Sequence, residues 1–160
     1  MIGVVAEKHS EDFKVDLGCA ELATLPILAF EGASRKNRPM LTVGSLVYAR
    51  VVVSNKDMSP EIVCYKANLK SEGLGELSGG YVFHCSLSLC RSILLKTNPV
   101  MPYLGEMFSY EAAVGVNGRV WVKSGSARHT IMVVNAILNS EFLNPVQIKE
   151  MCEKMKLNKD

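Results

Sequence analysis

A glycine-rich stretch near the middle of the 160-residue chain separates two segments that differ in their hydrophobic periodicity. Residues 67–80 read ANLKSEGLGELSGG and combine four glycines with little apolar content, a composition typical of a linker. Each flanking segment reaches the roughly 60 residues that a stable core needs. We therefore predict two domains, residues 1–68 and 81–160, joined by a linker at residues 69–80.

The first segment shows the alternation of apolar and polar residues that is typical of half-buried β-strands. Phe13, Val15 and Leu17, for example, alternate with Lys14 and Asp16. The predicted strands cover residues 2–6, 13–17, 21–25, 46–54 and 61–65. Five short strands with one long connection between the third and the fourth suit a small closed barrel such as an OB fold.

Beyond the linker, strand and helix patterns are mixed, which predicts an α+β domain with helices on one face of a small sheet. The strands are predicted at residues 81–85, 110–114 and 119–123. Residues 97–107 contain two prolines and a glycine, so we expect an irregular stretch there instead of a long helix.

Three predicted helices of the second segment begin at residues that favour the N-cap position, Ser86, Ser126 and Asn144. Pro145 and Gln147 complete the signature of a capping box for the last of them. The apolar faces predicted for the first two helices are Leu87, Cys90 and Leu94, and then Ile131, Val134, Leu138 and Phe142.

Charge and cysteine content restrict the class of protein. The net charge of +2, from 18 basic and 16 acidic residues, is small for a protein that binds nucleic acid by charge alone. Any RNA contact is therefore expected to be local. Five cysteines without CxxC spacing favour free thiols in a reducing compartment over a disulfide framework or a zinc site. No apolar run has the length of a membrane span, so we expect a soluble intracellular protein.

Several longer motifs resemble one family across nearly the whole chain. IGVVAEKHSEDFKVDLG and VGSLVYARVVVSNKD in the first segment are similar to the S1-type OB domain. GVNGRVWVK in the second is similar to the KH domain of the cap subunits of the RNA exosome, and FEGASRKNRP and VSNKDMSPEIVC resemble the same proteins. That family also has a small β-rich domain ahead of the barrel, for which the chain carries no matching residues.

The resemblance implies a fold and a function. The fold is an N-terminal five-stranded OB-type (S1) β-barrel followed by a KH-like α+β domain. The function is that of a non-catalytic subunit that sits with other cap subunits on a ring of RNase PH-like subunits, stabilises the ring and guides RNA into its channel for 3′-to-5′ processing and degradation. It further implies a nuclear, nucleolar and cytoplasmic location, with no cofactor and no metal.

The barrel is the better candidate for RNA binding, because OB folds combine a positive groove with aromatic side chains that stack on bases. The candidate cations are Lys8, Lys14, Arg35, Lys36, Arg38 and Lys56, and the candidate aromatic residues are Phe13 and Tyr48. Each cation has ordinary solvated charge as its alternative interpretation, and Phe13 is more often a core residue than a stacking platform. Arg35, Lys36 and Arg38 stand out, because three cations within four residues attract phosphate together.

The segment Gly115-Val116-Asn117-Gly118 has the GxxG form of the KH phosphate-clamping loop. A clamping loop joins two helices, whereas this segment lies between two predicted strands, where Asn-Gly favours a hairpin because both residues tolerate positive φ. We therefore predict a structural turn formed by Gly115, Asn117 and Gly118, which in the family packs against the S1-type domain. Trp121 is expected to pack at an interface, with base stacking as the lesser alternative.

Two alternative functions stay open on the sequence. One is a free-standing RNA-binding adaptor in translation or ribosome assembly, and the other is an active or degraded nuclease. The nuclease has little support, because the three histidines lack metal-ligand spacing and the carboxylates are scattered.

Overall fold

The computed structural model describes residues 1–66, 68 and 73–158. The chain divides into two compact units, Met1–Ser78 and Gly79–Asp160. Residues 69–72 of the predicted linker lie outside the described residues. No helix in the described ranges is long and apolar enough to cross a membrane.

The first unit is a curved β-sheet. Its strands are β1 (Ile2–Lys8), β2 (Asp12–Asp16), β3 (Ala23–Pro26), β4 (Leu46–Tyr48), β5 (Arg50–Asn55), β6 (Met58–Val63) and β7 (Gly75–Leu77). They lie in the order β5-β6-β3-β2-β1-β4-β7. Only Ala49 separates β4 from β5 in the chain, so the sheet closes on itself through one continuous segment.

The number of strands differs from the five that the sequence predicts. The long fourth strand is interrupted at Ala49, whose amide donates to the carbonyl of Met1, so that β4 pairs with β1 and β5 pairs with β6. Register shifts within the β5–β6 pair add to the bend, as bulges do. The short strand β7 falls within the predicted linker and pairs with β4. Its three residues, one of them glycine, are too few for a visible alternation.

The inward-facing residues of β1, β2, β3 and β6 form the core of this unit. Phe13, Leu25 and Ile62 are among its largest fully buried side chains. Phe13 is 0% exposed. The alternation along β2 and the residue after it therefore places Phe13, Val15 and Leu17 inside and leaves the intervening Lys14 and Asp16 half-buried at the surface.

The second unit is a three-stranded antiparallel sheet packed against helices. Its strands are β8 (Tyr81–His84), β9 (Tyr110–Val114) and β10 (Arg119–Ser124), in the order β8-β10-β9. Its helices are α1 (Leu87–Leu94), α2 (Val100–Met107), α3 (Ala127–Asn139) and α4 (Pro145–Leu157). Both units thus have the architecture predicted from the sequence, an OB-type barrel followed by a KH-like α+β domain.

The predicted N-caps are confirmed. The Ser86 hydroxyl accepts from the amide of Leu89, and the Ser126 hydroxyl accepts from the amide of His129. Asn144 and Gln147 form a complete capping box, with side-chain to backbone distances of 2.8 and 3.0 Å. These local hydrogen bonds fix where three of the four helices begin.

The prediction of an irregular stretch at residues 97–107 is wrong, since α2 occupies most of it. Pro102 is the third residue of this helix, where the backbone has no intrahelical acceptor for an N–H, so proline costs little there. Leu104 is fully buried and holds the helix to the core. Tertiary packing thus overrides the weak helix propensity of the segment.

The predicted apolar faces of α1 and α3 are rotated from the observed ones. The buried residues are Leu89, Cys90 and Ile93 on α1, and Thr130, Val133, Val134, Ala136 and Ile137 on α3. Ile131 is 59% exposed and Phe142 is 87% exposed, and Leu87, Leu94 and Leu138 also lie outside the core. Several apolar stripes of similar strength run along both helices, so periodicity alone does not select the buried one.

Candidate nucleic-acid interface

The three cations of the loop at residues 31–39 are all exposed. Arg35 and Lys36 lie at the tip of a tight turn in which the amides and carbonyls of Ser34 and Asn37 bond each other at 3.0 and 3.1 Å. The Ser34 hydroxyl accepts a further bond from the amide of Asn37. Neither Arg35 nor Lys36 forms an ion pair within the described part of the chain.

Arg38 connects this loop to the loop between β1 and β2. Its Nη1 donates to the carbonyl of Ser10 at 3.2 Å. A cleft of about 360 Å³ lies between the two loops, and its lining residues are Ser10, Glu11, Ile27, Leu28, Arg35 and Arg38. Two of the three loop cations therefore share one cleft, together with the carboxylate of Glu11.

The other predicted cations are distributed along the sheet. Lys8 is opposite Phe13 at the same end as the Ser10 loop, and Lys14 lies on β2, where its Nζ donates to Thr24 Oγ1 at 2.8 Å. Lys56 is exposed in the turn between β5 and β6. That hairpin is bonded to Glu21, before β3, so Lys56 lies at the opposite end from Arg38. The six cations thus follow the long axis of the sheet and do not form one cluster.

The two predicted aromatic residues have different environments. Phe13 lies in the core and cannot stack on a base, so its place among the stacking candidates is corrected to the core role. Tyr48 is half-buried on β4, and burial raises the pKa of its hydroxyl. Tyr48 is the predicted aromatic residue that reaches the barrel surface.

Arg50 is an exposed cation that sequence reasoning did not place among the candidates. It lies two residues after Tyr48 in the chain, and its Nε donates to the carbonyl of Tyr65 at 3.3 Å. The alternation along the predicted fourth strand already placed Arg50 on the face of Tyr48, and this shared face was the signal that could have identified it.

The Gly115–Gly118 segment is the turn of the β9–β10 hairpin. The amide of Gly115 bonds the carbonyl of Arg119, and the amide of Gly118 bonds the carbonyl of Gly115. The predicted hairpin is present, with Gly118 at φ of +81° and Asn117 not at positive φ. A Cβ on Gly118 would lie 2.9 Å from the carbonyl oxygen of Cys85. The close contact and the positive φ therefore both favour glycine at position 118.

Trp121 is buried on β10, with 5% of its surface exposed. Its Nε1 donates to the carbonyl of Gly79 at 2.8 Å. A Cβ on Gly80 would lie 2.8 Å from Nε1, so the residue beside the indole must be small. The satisfied donor and the burial leave no open ring face for base stacking.

The connection between α1 and α2 is where a KH phosphate-clamping loop would lie. Its sequence here is Leu95-Lys96-Thr97-Asn98-Pro99, with no GxxG. Lys96 is at φ of +59°, and the amides of Lys96 and Thr97 bond the carbonyls of Ile93 and Ser92, which is the Schellman pattern at a helix end. The backbone amides at this position thus bond the helix itself.

No group of three or more histidine, cysteine, aspartate or glutamate side chains in the described ranges could hold a metal ion. The Nε2 atom of His9 lies 3.0 Å from a carboxylate oxygen of Glu7.

Comparison with protein families gives two matches along the chain. The sequence profile of the S1 domain of exosome complex component RRP40 matches residues 1–75, and that of a KH domain matches residues 80–128.

Similar proteins occur in distant eukaryotes. The chain is 48% identical to an rrp40 exosome complex component of Dictyostelium discoideum, over 93% of the chain and 63% of that protein. It is 43% identical to exosome complex component rrp40 of Schizosaccharomyces pombe, over 97% of the chain and 65% of that protein. The chain thus spans less than two thirds of the length of these relatives.

A solved structure supports the fold. The crystal structure of an exosome complex RNA-binding protein matches with a TM-score of 0.75, over 99% of this chain and 94% of that one. At 22% sequence identity, this match concerns the fold alone.

Proposed function

Because the chain belongs to the RRP40 family of exosome components, we propose that it is a non-catalytic RNA-binding cap subunit of the RNA exosome. In this role it stabilises a ring of RNase PH-like subunits together with other cap subunits. It also guides RNA toward the central channel for 3′-to-5′ processing and degradation. We place it in the nucleus and nucleolus, and also in the cytoplasm.

The RNA-guiding part of the proposed function rests on the exposed loop that contains Arg35, Lys36 and Arg38. Its cations are exposed, unpaired within the described residues and held beside the β1–β2 loop by the Arg38–Ser10 bond. Exposed cations that form no ion pair are available to phosphate, and each phosphate contact releases counterions from the RNA. This supports an electrostatic contact that is independent of sequence, as a channel for many RNAs needs.

The distribution of the remaining cations supports an extended path. Lys8 and Arg38 lie at one end of the sheet, Lys14 near its middle and Lys56 at the other end. Single-stranded RNA follows such grooves through its backbone, with aromatic side chains adding stacking. Tyr48 is the side chain that we assign to stacking.

The KH-like unit has a structural role in this proposal. Its α1–α2 connection lacks the glycines of a clamping loop, and its GxxG segment is a hairpin turn whose amides bond the hairpin. We assign this unit to packing against neighbouring proteins of the particle.

Crosslinking of RNA to the reconstituted exosome particle tests whether RNA binds the barrel and not the KH-like unit. With this chain incorporated, photocrosslinked peptides should come from the barrel, above all from residues 31–39 and the strand with Tyr48. Crosslinks that map only to residues 79–158, or RNA binding that does not involve this chain, would contradict the proposal. Metal-dependent RNA cleavage by the purified chain would contradict its non-catalytic part.

A further inference from the structure

Two cysteine thiols of the KH-like unit face each other at the start of α1. Cys85 directly follows β8, and Cys90 lies in the first turns of α1. Their Sγ atoms are 3.2 Å apart, and both cysteines are free. Cys85 is half-buried and Cys90 is fully buried, so solvent reaches the pair from the Cys85 side.

Helix geometry explains why these thiols meet. Ser86 is the N-cap of α1, so Cys85 is the residue before the cap and Cys90 is the fourth helical residue. Apolar side chains at these two positions commonly pack together and set the angle at which the chain joins the helix. Here both positions of this hydrophobic staple carry a thiol, so the local fold itself holds the sulfurs together.

We propose that Cys85 and Cys90 are a redox modification site, at which a small-molecule disulfide such as oxidised glutathione converts the pair into an intramolecular disulfide. A disulfide bond is about 2.05 Å long. The two sulfurs therefore need to approach by about 1.2 Å, a distance within reach of side-chain rotation.

The chemistry is two successive exchanges. The Cys85 thiolate attacks one sulfur of oxidised glutathione, forms a mixed disulfide and releases one glutathione thiolate, which takes up a proton. Cys90 then loses its proton and attacks the Cys85 sulfur, forming the Cys85–Cys90 bond and releasing the second glutathione. Two protein thiols are oxidised, and one glutathione disulfide is reduced to two glutathione thiols.

The surroundings of Cys85 set the rate of this reaction and its direction. Burial, the contact with Cys90 and the nearby charge of Glu141 together raise the pKa of Cys85 to about 12. Little thiolate exists near neutral pH, so the first exchange is slow and accelerates as the pH rises. Because the raised pKa means that the reduced pair is not stabilised as a thiolate, the disulfide is also harder to reduce once it has formed.

The disulfide has a local structural consequence. The amide of Cys85 bonds the carbonyl of Gly118, so the same residue contacts the Gly115–Gly118 turn. Oxidation closes a covalent ring between the end of β8 and the first turns of α1, and the Gly115–Gly118 turn is joined to this ring by the Cys85–Gly118 hydrogen bond. We expect an upward shift in the melting temperature of the KH-like unit, because a short covalent loop restricts its unfolded state.

Peptide mapping by mass spectrometry tests the proposal on the full chain. The purified chain in a Cys19→Ser background, which removes the exposed cysteine, is incubated with oxidised glutathione at several pH values and then blocked with an alkylating reagent. We expect a Cys85–Cys90 crosslinked peptide that forms faster at higher pH and disappears with dithiothreitol. Cys64 and Cys152, which are buried without a close thiol, serve as internal controls and should stay reduced.

Single variants separate the two steps. Cys90→Ser removes the resolving thiol, so a stable glutathione adduct should accumulate on Cys85, while Cys85→Ser should leave Cys90 unmodified. A stable glutathione adduct on Cys85 of the Cys19→Ser chain, a disulfide to another cysteine, or no reaction at high pH would each overturn the proposal. These readings come from the Cys19→Ser chain, so they stand even if a second substitution prevents folding.

Discussion

Arg38 and Ser10 join two loops that are 28 residues apart in the chain, through a bond of 3.2 Å from the guanidinium Nη1 to the backbone carbonyl. The bond places the loop with Arg35 and Lys36 beside the β1–β2 loop. It uses one donor of Arg38 and leaves the other guanidinium donors available for phosphate. The cations of the loop are therefore held in place without being neutralised.

Replacing Arg35, Lys36 and Arg38 together with alanine should weaken RNA binding by the assembled particle. Each lost phosphate contact lowers the salt dependence of binding to single strands by about 0.7 in the log–log slope. We expect a decrease in affinity of about tenfold or more near physiological salt, with a shallower slope and unchanged assembly. Filter binding of RNA at several salt concentrations measures both quantities.

The matched control removes the same charge from the KH-like unit. Lys149, Lys154 and Lys156 are exposed on α4, and their triple alanine variant should bind RNA nearly as the unaltered chain does. Equal losses in the two triple variants would mean that net charge, and not the loop, controls binding.

Gly118→Ala should destabilise the KH-like unit. The new Cβ meets the Cys85 carbonyl at 2.9 Å, and alanine is strained at φ of +81°. We expect a loss of about 1–3 kcal/mol in the free energy of unfolding. The fluorescence of Trp121, the single tryptophan, follows urea unfolding of this unit. Gly105→Ala is the control, because its Cβ meets nothing within 4 Å and alanine in a helix should stabilise by about 0.5–1 kcal/mol.

Asn117→Ala tests the role assigned to the same turn. A structural turn loses stability first, so unfolding should shift while RNA binding by the folded, assembled particle stays near its original value. Unchanged thermal stability together with weaker RNA binding would show that the turn contacts RNA directly.

Lys96→Gly should stabilise the KH-like unit. Lys96 occupies the left-handed position that ends α1, where glycine has no steric penalty. We expect a gain of about 1 kcal/mol, measured by urea unfolding with Trp121 fluorescence. Lys96→Ala removes the same charge and keeps a Cβ, so it should show little gain. A gain of the same size in both variants would assign the effect to charge.

Alkaline pH should destabilise the barrel through Cys64. Burial raises the pKa of its thiol from the ordinary value of 9.0 to about 12, so the unfolded chain loses this proton at lower pH than the folded chain. Stability is therefore complete below about pH 9 and falls as the pH rises toward 12, by up to about 1.4 kcal/mol per pH unit. Hydrogen exchange of β6 peptides in urea should show a shallower pH dependence in Cys64→Val. An identical pH dependence in both chains would refute this cause.

Local signals made much of the fold predictable from the sequence. The caps at Ser86, Ser126 and Asn144 and the Asn117–Gly118 pair depend on residues close in the chain, and each lies at the start of a helix or in a turn. Helix α2 was missed because Pro102 lies in its first turn, where proline costs little, and because the burial of Leu104 depends on tertiary packing. Strand β7 was missed because its pairing with β4 is a long-range backbone contact.

The candidate site was predictable in part. The exposure of Arg35, Lys36 and Arg38 follows from the polar composition of their loop. The hydrogen bond from Arg38 to Ser10 depends on the path of the long connection between β3 and β4, which composition does not predict. The sequence alone is compatible with Phe13 as a core residue or as a stacking platform on the surface. The structure places it in the core of the barrel.

Purification of the tagged chain from its own cells, with mass spectrometry of the associated proteins, measures the central proposal most directly. We predict recovery of RNase PH-like ring subunits and other cap subunits in amounts comparable to the chain itself. A chain recovered alone, and binding RNA tightly as a monomer, would contradict membership of the particle and favour a free-standing adaptor.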